Sequence, residues 1–284
     1  MAIATATATE STPPMTLISE NVNLAMPTTT KFPWETSPIA LIPTPAFESN
    51  AIDVFTLVAS QMALVHNCFI RALNSIYLQA PHVPAIEYPN FVAYSLATYQ
   101  GLMAHHDGEE HTLFPELERL TGETGLMDEN VDGHRAFDSK LGEWGYWLEA
   151  CKKGRNSFNS DTCTIMMDAF LPALHSHLCA EIPTLLALSR FPGIASQLPA
   201  KMEEEGKKVM GAMSKTELLP VFLLNHDVGF EGSRHNFPPL PAPVRWVLRE
   251  VCGRWNAEWW KFATCGFDGR ARELKFLGGG VMEK

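Results

Sequence analysis

A chain of 284 residues with 46% hydrophobic content is long enough to bury a substantial core, and it reads as one domain with decorated ends. The net charge of −10 and an isoelectric point near 5.5 exclude a basic phosphate-binding stripe, so no nucleic-acid partner is expected. Six scattered cysteines without a CxxC pair (Cys68, Cys151, Cys163, Cys179, Cys252, Cys265) suit reduced thiols in a cytoplasmic protein. The start, "MAIATATATESTPPMTL", has neither the basic flank nor the apolar run of a signal peptide. No uninterrupted apolar stretch approaches the roughly 18 residues of a membrane span, so no membrane partner is expected.

Residues 1–50 are rich in Ala, Thr, Ser and Pro, and "FPWETSPIALIPTPAF" predicts an irregular, extended arm. Four long helical patterns follow. The first runs from about Ala51 to Leu78 and ends in a loop with Pro81, Pro84 and Pro89. The second spans about Asn90 to Leu120 and stops at "TGETG". The third covers about Asp128 to Cys151, and "KKGRNSFNS" breaks it. The fourth starts near Asp161, a suitable N-cap, and continues to about Ser189. Long helices with short connections predict an all-α, antiparallel up-down-up-down four-helix bundle over 51–190. Residues 191–284 predict a helical extension packed on it: a polar helix near Leu198–Met213, an apolar one near Glu217–Asn225, and a Trp-rich one near Val244–Ala263.

Two of the long helices share a His-x-x-x-Glu pattern, His105/Glu109 and His177/Glu181, while the first and third carry His66 and His134. Residues four apart project from one helix face. Counting outward from loop centres near 84, 123 and 157 places these six side chains at matched heights, to within three residues. Three residues of helix are about 4–5 Å, less than one turn. Four imidazoles and two carboxylates in one layer make a mixed nitrogen–oxygen set suited to iron or manganese, with zinc possible. The Glu-x-x-His code of ferritin-like di-iron bundles is absent from the chain.

At these residues the chain resembles the hemerythrin-like family, the HHE cation-binding domain. The resemblance covers about residues 55–190 and rests on "HNCFIRALNSIY", "HHDGEEHTLFPELE", "GHRAF" and "HSHLCAEIPTLLAL". It implies a four-helix bundle holding two iron ions. His66, His105, Glu109, His134, His177 and Glu181 would be the ligands, with Glu109 and Glu181 bridging. Oxygen-carrying members place a second histidine where Asn130 stands, and an aspartate five residues after the histidine matching His177. The missing histidine implies a more open second metal, suited to reaction rather than reversible carriage.

Around this set, His106 points about 100° away from His105, which predicts a solvated or supporting position rather than ligation. Glu110 reads as a surface charge or as a partner orienting an imidazole. His111 is a candidate substitute ligand. His226 and Asp227 read as a helix-end cap, or else as a proton relay over the site. The tryptophans Trp246, Trp255, Trp259 and Trp260 read as packing. The expected function is a di-iron oxidoreductase that binds and activates dioxygen to oxidise a small organic substrate. The alternative is non-catalytic binding, sensing or storage of oxygen, nitric oxide or iron. A deep pocket over the metals, walled by residues after 220, favours the first, and a narrow channel of dioxygen width favours the second.

Overall fold

The structure, a computed structural model, describes residues 32–238 and 241–277. Most of the predicted N-terminal arm, residues 1–31, lies outside that range. The described residues are mostly helical and contain no strand, only an isolated bridge between Cys265 and Ala271. The described part of the arm is less extended than its prolines suggest. A 3-10 turn covers Pro33–Glu35, and α1 (Pro45–Ser49) uses Pro45 at its first position with Thr44 as N-cap.

Helix α2 (Val54–Gln79) begins where the Asp53 carboxylate accepts hydrogen bonds from the Phe55 and Thr56 amides. It is long and apolar enough to cross a membrane, yet 78% of its apolar window is buried in the core. The second predicted helix is three segments in line: α3 (Tyr88–Gly108), a π-helical turn (Glu109–Leu113) and α4 (Phe114–Thr121). Pro115 accounts for the wide turn, because its ring clashes with the carbonyl four residues back and it has no amide to donate. Gly122, at φ 75°, then closes α4 by bonding its amide to the Glu118 carbonyl.

The third and fourth predicted helices are each broken once. The former divides into α5 (Asp128–Arg135) and α6 (Asp138–Lys152), the latter into α7 (Ser160–Asp168) and α8 (Leu171–Ala187). At each break a phenylalanine, Phe137 or Phe170, turns into the core and is essentially unexposed. Asn159, not Asp161, caps α7. Helix α2 packs most extensively on α8, α3 on α6, and α5 on α8. In the extension, α9 (Leu198–Ala212) rests on α2 and α3, and α10 (Leu218–Leu223) on the same pair. The Trp-rich stretch is not one helix but α11 (Ala242–Trp246), a π turn and α12 (Ala257–Trp260). Only Trp260 of its four tryptophans is buried, while Trp246 and Trp255 face solvent.

One face of α2 is buried yet polar. Asn67 bonds the backbone of Ile42, and Asn74 bonds the Trp34 and Ile39 carbonyls, which together fasten the arm. Ser75 and Gln79 both donate to the Phe262 carbonyl and fasten the end of the chain. Between them, Arg71 reaches the Asn225 carbonyl at 3.4 Å and lies 4.8 Å over the Phe230 ring, with its Nε and Nη2 unpartnered.

Candidate metal centre

The structure brings all six singled-out side chains into one buried cluster and adds a seventh. His66, His134 and Glu181 have no exposed surface, Glu109 and His177 almost none, and His105 is 9% exposed. His66 comes from α2, His105 from α3, His134 from α5, His177 and Glu181 from α8, and Glu109 from the π turn. The seventh is His106. Its expected solvated position is corrected here: it is 3% exposed, with its ring 4.4 Å from that of His134 and 5.6 Å from that of His177.

Donor atoms gather into two groups that share one carboxylate. His66, His105 and Glu109 offer atoms within 4.8 Å of one another, and so do His106, Glu109, His134 and His177. The 100° offset between adjacent His105 and His106 is what sends one to each group. Glu109 lies between them, one oxygen 3.1 Å from His105 Nε2 and the other 3.6 Å from His134 Nε2. Glu181 lies beside the first group, 3.2 Å from His66 Nε2, but belongs to neither, so of the two carboxylates expected to bridge only Glu109 is shared. Asn130 is buried one turn before His134, its amide beside the Met127 sulfur. His106 supplies the second group with an imidazole from another helix, so Asn130 does not by itself leave a position open there.

Outer contacts fix which ring nitrogens face inward. His66 Nδ1 donates to the Leu178 carbonyl at 3.0 Å, leaving its Nε2 toward Glu181. Glu110, one-third exposed, takes the orienting role rather than the purely surface one, 2.6 Å from His134 Nδ1. Gly133 makes room for His177, because a Cβ there would lie 2.7 Å from His177 Nδ1. Phe69 stacks on His105, and Phe137 seals the second group against His106 and His177.

These groups fit a metal better than they fit each other. Nε2 of His66, His105, His134 and His177, both nitrogens of His106 and every carboxylate oxygen of Glu109 and Glu181 are buried without an aligned hydrogen bond. Each such orphan costs about 1–3 kcal/mol. Burial, then the neighbouring imidazoles, push the proton affinity of His105 and His106 well below the usual histidine range, and that of His177 down to about 2. Burial, then the Glu181 charge, raises Glu109 well above the usual carboxylate range. Neutral imidazoles beside carboxylates that lack a counter-cation are the donor set a divalent nitrogen–oxygen metal takes.

Residues outside the cluster sort differently. His111 is exposed and bonds the Asp107 carbonyl of its own helix, so it substitutes for nothing. Asp227 closes a loop by accepting from the Gly229 and Ala271 amides, and His226 packs edge-on against Phe237; neither belongs to the two donor groups. A cavity of about 440 Å³ opens onto the cluster at His105 and Glu109. Apolar side chains such as Val58, Met62, Phe69, Met202, Phe222 and Phe237 line it, with the extension forming one wall mainly through α9, before residue 220.

The hemerythrin HHE cation-binding domain matches residues 58–188 of the chain. A curated relative, the "dimeric xanthone biosynthesis cluster protein R11" of Cryptosporiopsis sp. (strain 8999), is 33% identical over 248 residues, covering 87% of this chain and 92% of its own. No solved structure gives a match. Taken with the buried histidine–glutamate cluster, the match and the near full-length relative show that this chain belongs to the hemerythrin HHE cation-binding family.

Proposed function

We propose that this chain is a non-haem di-iron oxidoreductase, built on an antiparallel four-helix bundle, that uses dioxygen to oxidise a small, largely apolar organic molecule in the cytoplasm. The observation that carries this reading is the cavity of about 440 Å³ that meets the donor cluster at His105 and Glu109. That volume is within the range of sites for small organic ligands, about 300–1,000 Å³, and far exceeds what dioxygen alone needs. The curated relative is named for a cluster that makes a dimeric xanthone. By likeness, the substrate class here is an oxygenated aromatic compound.

Two irons held by the donor groups would supply the electrons for dioxygen reduction and an electrophilic oxygen equivalent. The chain's own residues do the rest. Glu109, common to both groups, sets the spacing between the two positions, and Glu110 holds the His134 ring in place. Phe69 and Phe137 keep water from the cluster on two sides. The apolar cavity wall holds the substrate body beside His105.

The test is anaerobic loading with ferrous iron, metal analysis, and oxygen uptake with and without a panel of hydroxylated aromatics. Two irons per chain and uptake accelerated by an aromatic are expected. Reversible uptake that no aromatic alters would instead establish a carrier.

A further inference from the structure

The cavity wall contains one buried polar side chain that the metal cluster does not account for. Glu205 stands on α9, outside the stretch that matches the family, within "EEEGKK". Its neighbours Glu203, Glu204 and Lys207 are exposed, whereas Glu205 is 8% exposed and lines the cavity. Neither carboxylate oxygen has an aligned hydrogen bond. The nearby Thr112 hydroxyl accepts from the Lys208 ammonium and keeps its own proton for the Glu205 carboxylate, which leaves the rest of that carboxylate's hydrogen-bonding capacity unused.

Its position is fixed by a glycine. A Cβ at Gly108 would lie 2.8 Å from a Glu205 oxygen and 2.6 Å from the Val209 side chain, so α9 seats against bare backbone. That backbone immediately precedes Glu109. The remaining polar groups at the cavity, Gln61, Glu203 and Lys207, lie on its exposed rim. Inside, the polar side chains are His105, Glu109 and Glu205, and the first two belong to the donor groups. Glu205 belongs to neither group.

We propose that Glu205 is the polar anchor of the cavity: its carboxyl group hydrogen-bonds a hydroxyl or carbonyl oxygen of the substrate and turns the apolar body toward His105 and Glu109. The inference rests on the oxidative reading above and narrows its substrate class to apolar molecules bearing one such oxygen. Apolar pockets obtain orientation from a few placed polar groups, and a buried carboxyl with unused hydrogen-bonding capacity is a strong one. Burial raises its proton affinity above the usual carboxylate range, against the opposing pull of Lys208 and the Thr112 hydroxyl.

The test uses the full-length, metal-loaded chain and two matched probes, β-naphthol and naphthalene, measured by equilibrium dialysis. Wild type should prefer β-naphthol. Glu205→Leu should weaken β-naphthol binding by about fivefold to tenfold while leaving naphthalene binding and metal content unchanged. Glu205→Gln, whose amide both donates and accepts, should retain most of the preference and controls for folding. The proposal is overturned if wild type shows no preference or binds neither probe, if Glu205→Leu weakens both probes equally, or if either variant loses metal, which would move Glu205 into the donor set. Oxygen uptake, assayed separately, reports on the oxidative reading: its failure with the binding preference intact would remove the reaction and leave the anchor.

Discussion

Gly133→Ala separates the donor cluster from the fold around it. A methyl group there would lie 2.7 Å from His177 Nδ1, against about 3.4 Å for ordinary contact, so the imidazole must retreat by about 0.7 Å. Gly133 is not among the residues with positive φ, so no backbone strain enters. In a helix the change gains about 1 kcal/mol of propensity, while overpacking costs about 1–3 kcal/mol. The metal-free chain should therefore lose at most about 2 kcal/mol. A donor displaced by 0.7 Å exceeds the roughly 0.2 Å tolerance of metal–ligand distances, so the group formed with His106, His134 and Glu109 should lose its ion. The assays are metal analysis and urea denaturation of the metal-free form. Metal content should drop from two toward one with a small shift in midpoint. Gly142→Ala, whose methyl would meet nothing within 4 Å, is the control and should keep both metals. Full metal content and unchanged affinity in Gly133→Ala would refute the assignment of His177 to the cluster.

Other outcomes follow from separate features. His106→Ala should lower metal content as much as His105→Ala, measured side by side; a solvated His106 would leave it unchanged. Arg71→Met, which removes a buried charge with incomplete partners but keeps its bulk, should be neutral or stabilising, whereas Arg71→Ala should cost about 2–4 kcal/mol in chemical denaturation through the cavity it leaves. Burial raises the Cys163 thiol to about 12 and the Cys265 thiol to about 11, from 9.0. Groups raised on folding stabilise fully below their unfolded value and lose that contribution as pH climbs toward the folded one. Stability should fall by about 2–3 kcal/mol per pH unit between about pH 9 and 11, and replacing both cysteines with Ala should flatten that slope.

The six cluster residues were legible because two His-x-x-x-Glu pairs and two isolated histidines count to one height, which side chains scattered over a surface have no reason to do. His106 was not legible, because a regular helix puts it 100° from His105 and only a shared carboxylate with two donor groups makes that offset useful. The π turn beneath it had a sequence trace in Pro115, but the spacing of apolar residues does not reveal it. The breaks at Phe137 and Phe170 carry no glycine at the junction; they exist because a large ring gains burial by leaving the helical path. Glu205 sits in a run of acidic and basic residues that reads as a solvated face, and its burial depends on Gly108, nearly a hundred positions earlier.

The polar row on α2 sets the order in which the molecule can be completed. Asn74 and Gln79 lie within six residues of each other, yet one waits for Trp34 and the other for Phe262 and Phe276. Trp34 itself donates to the Arg272 carbonyl, 238 positions away. During synthesis at roughly 5–20 residues per second, the helices bearing the donor cluster would emerge well before the segment that satisfies Ser75 and Gln79. Ser75 and Gln79 must stay hydrated until Phe262 and Phe276 have emerged, and closing a loop of this length comes late in folding. Metal capture by the cluster and sealing of the chain ends are thus separable events, and the first can precede the second.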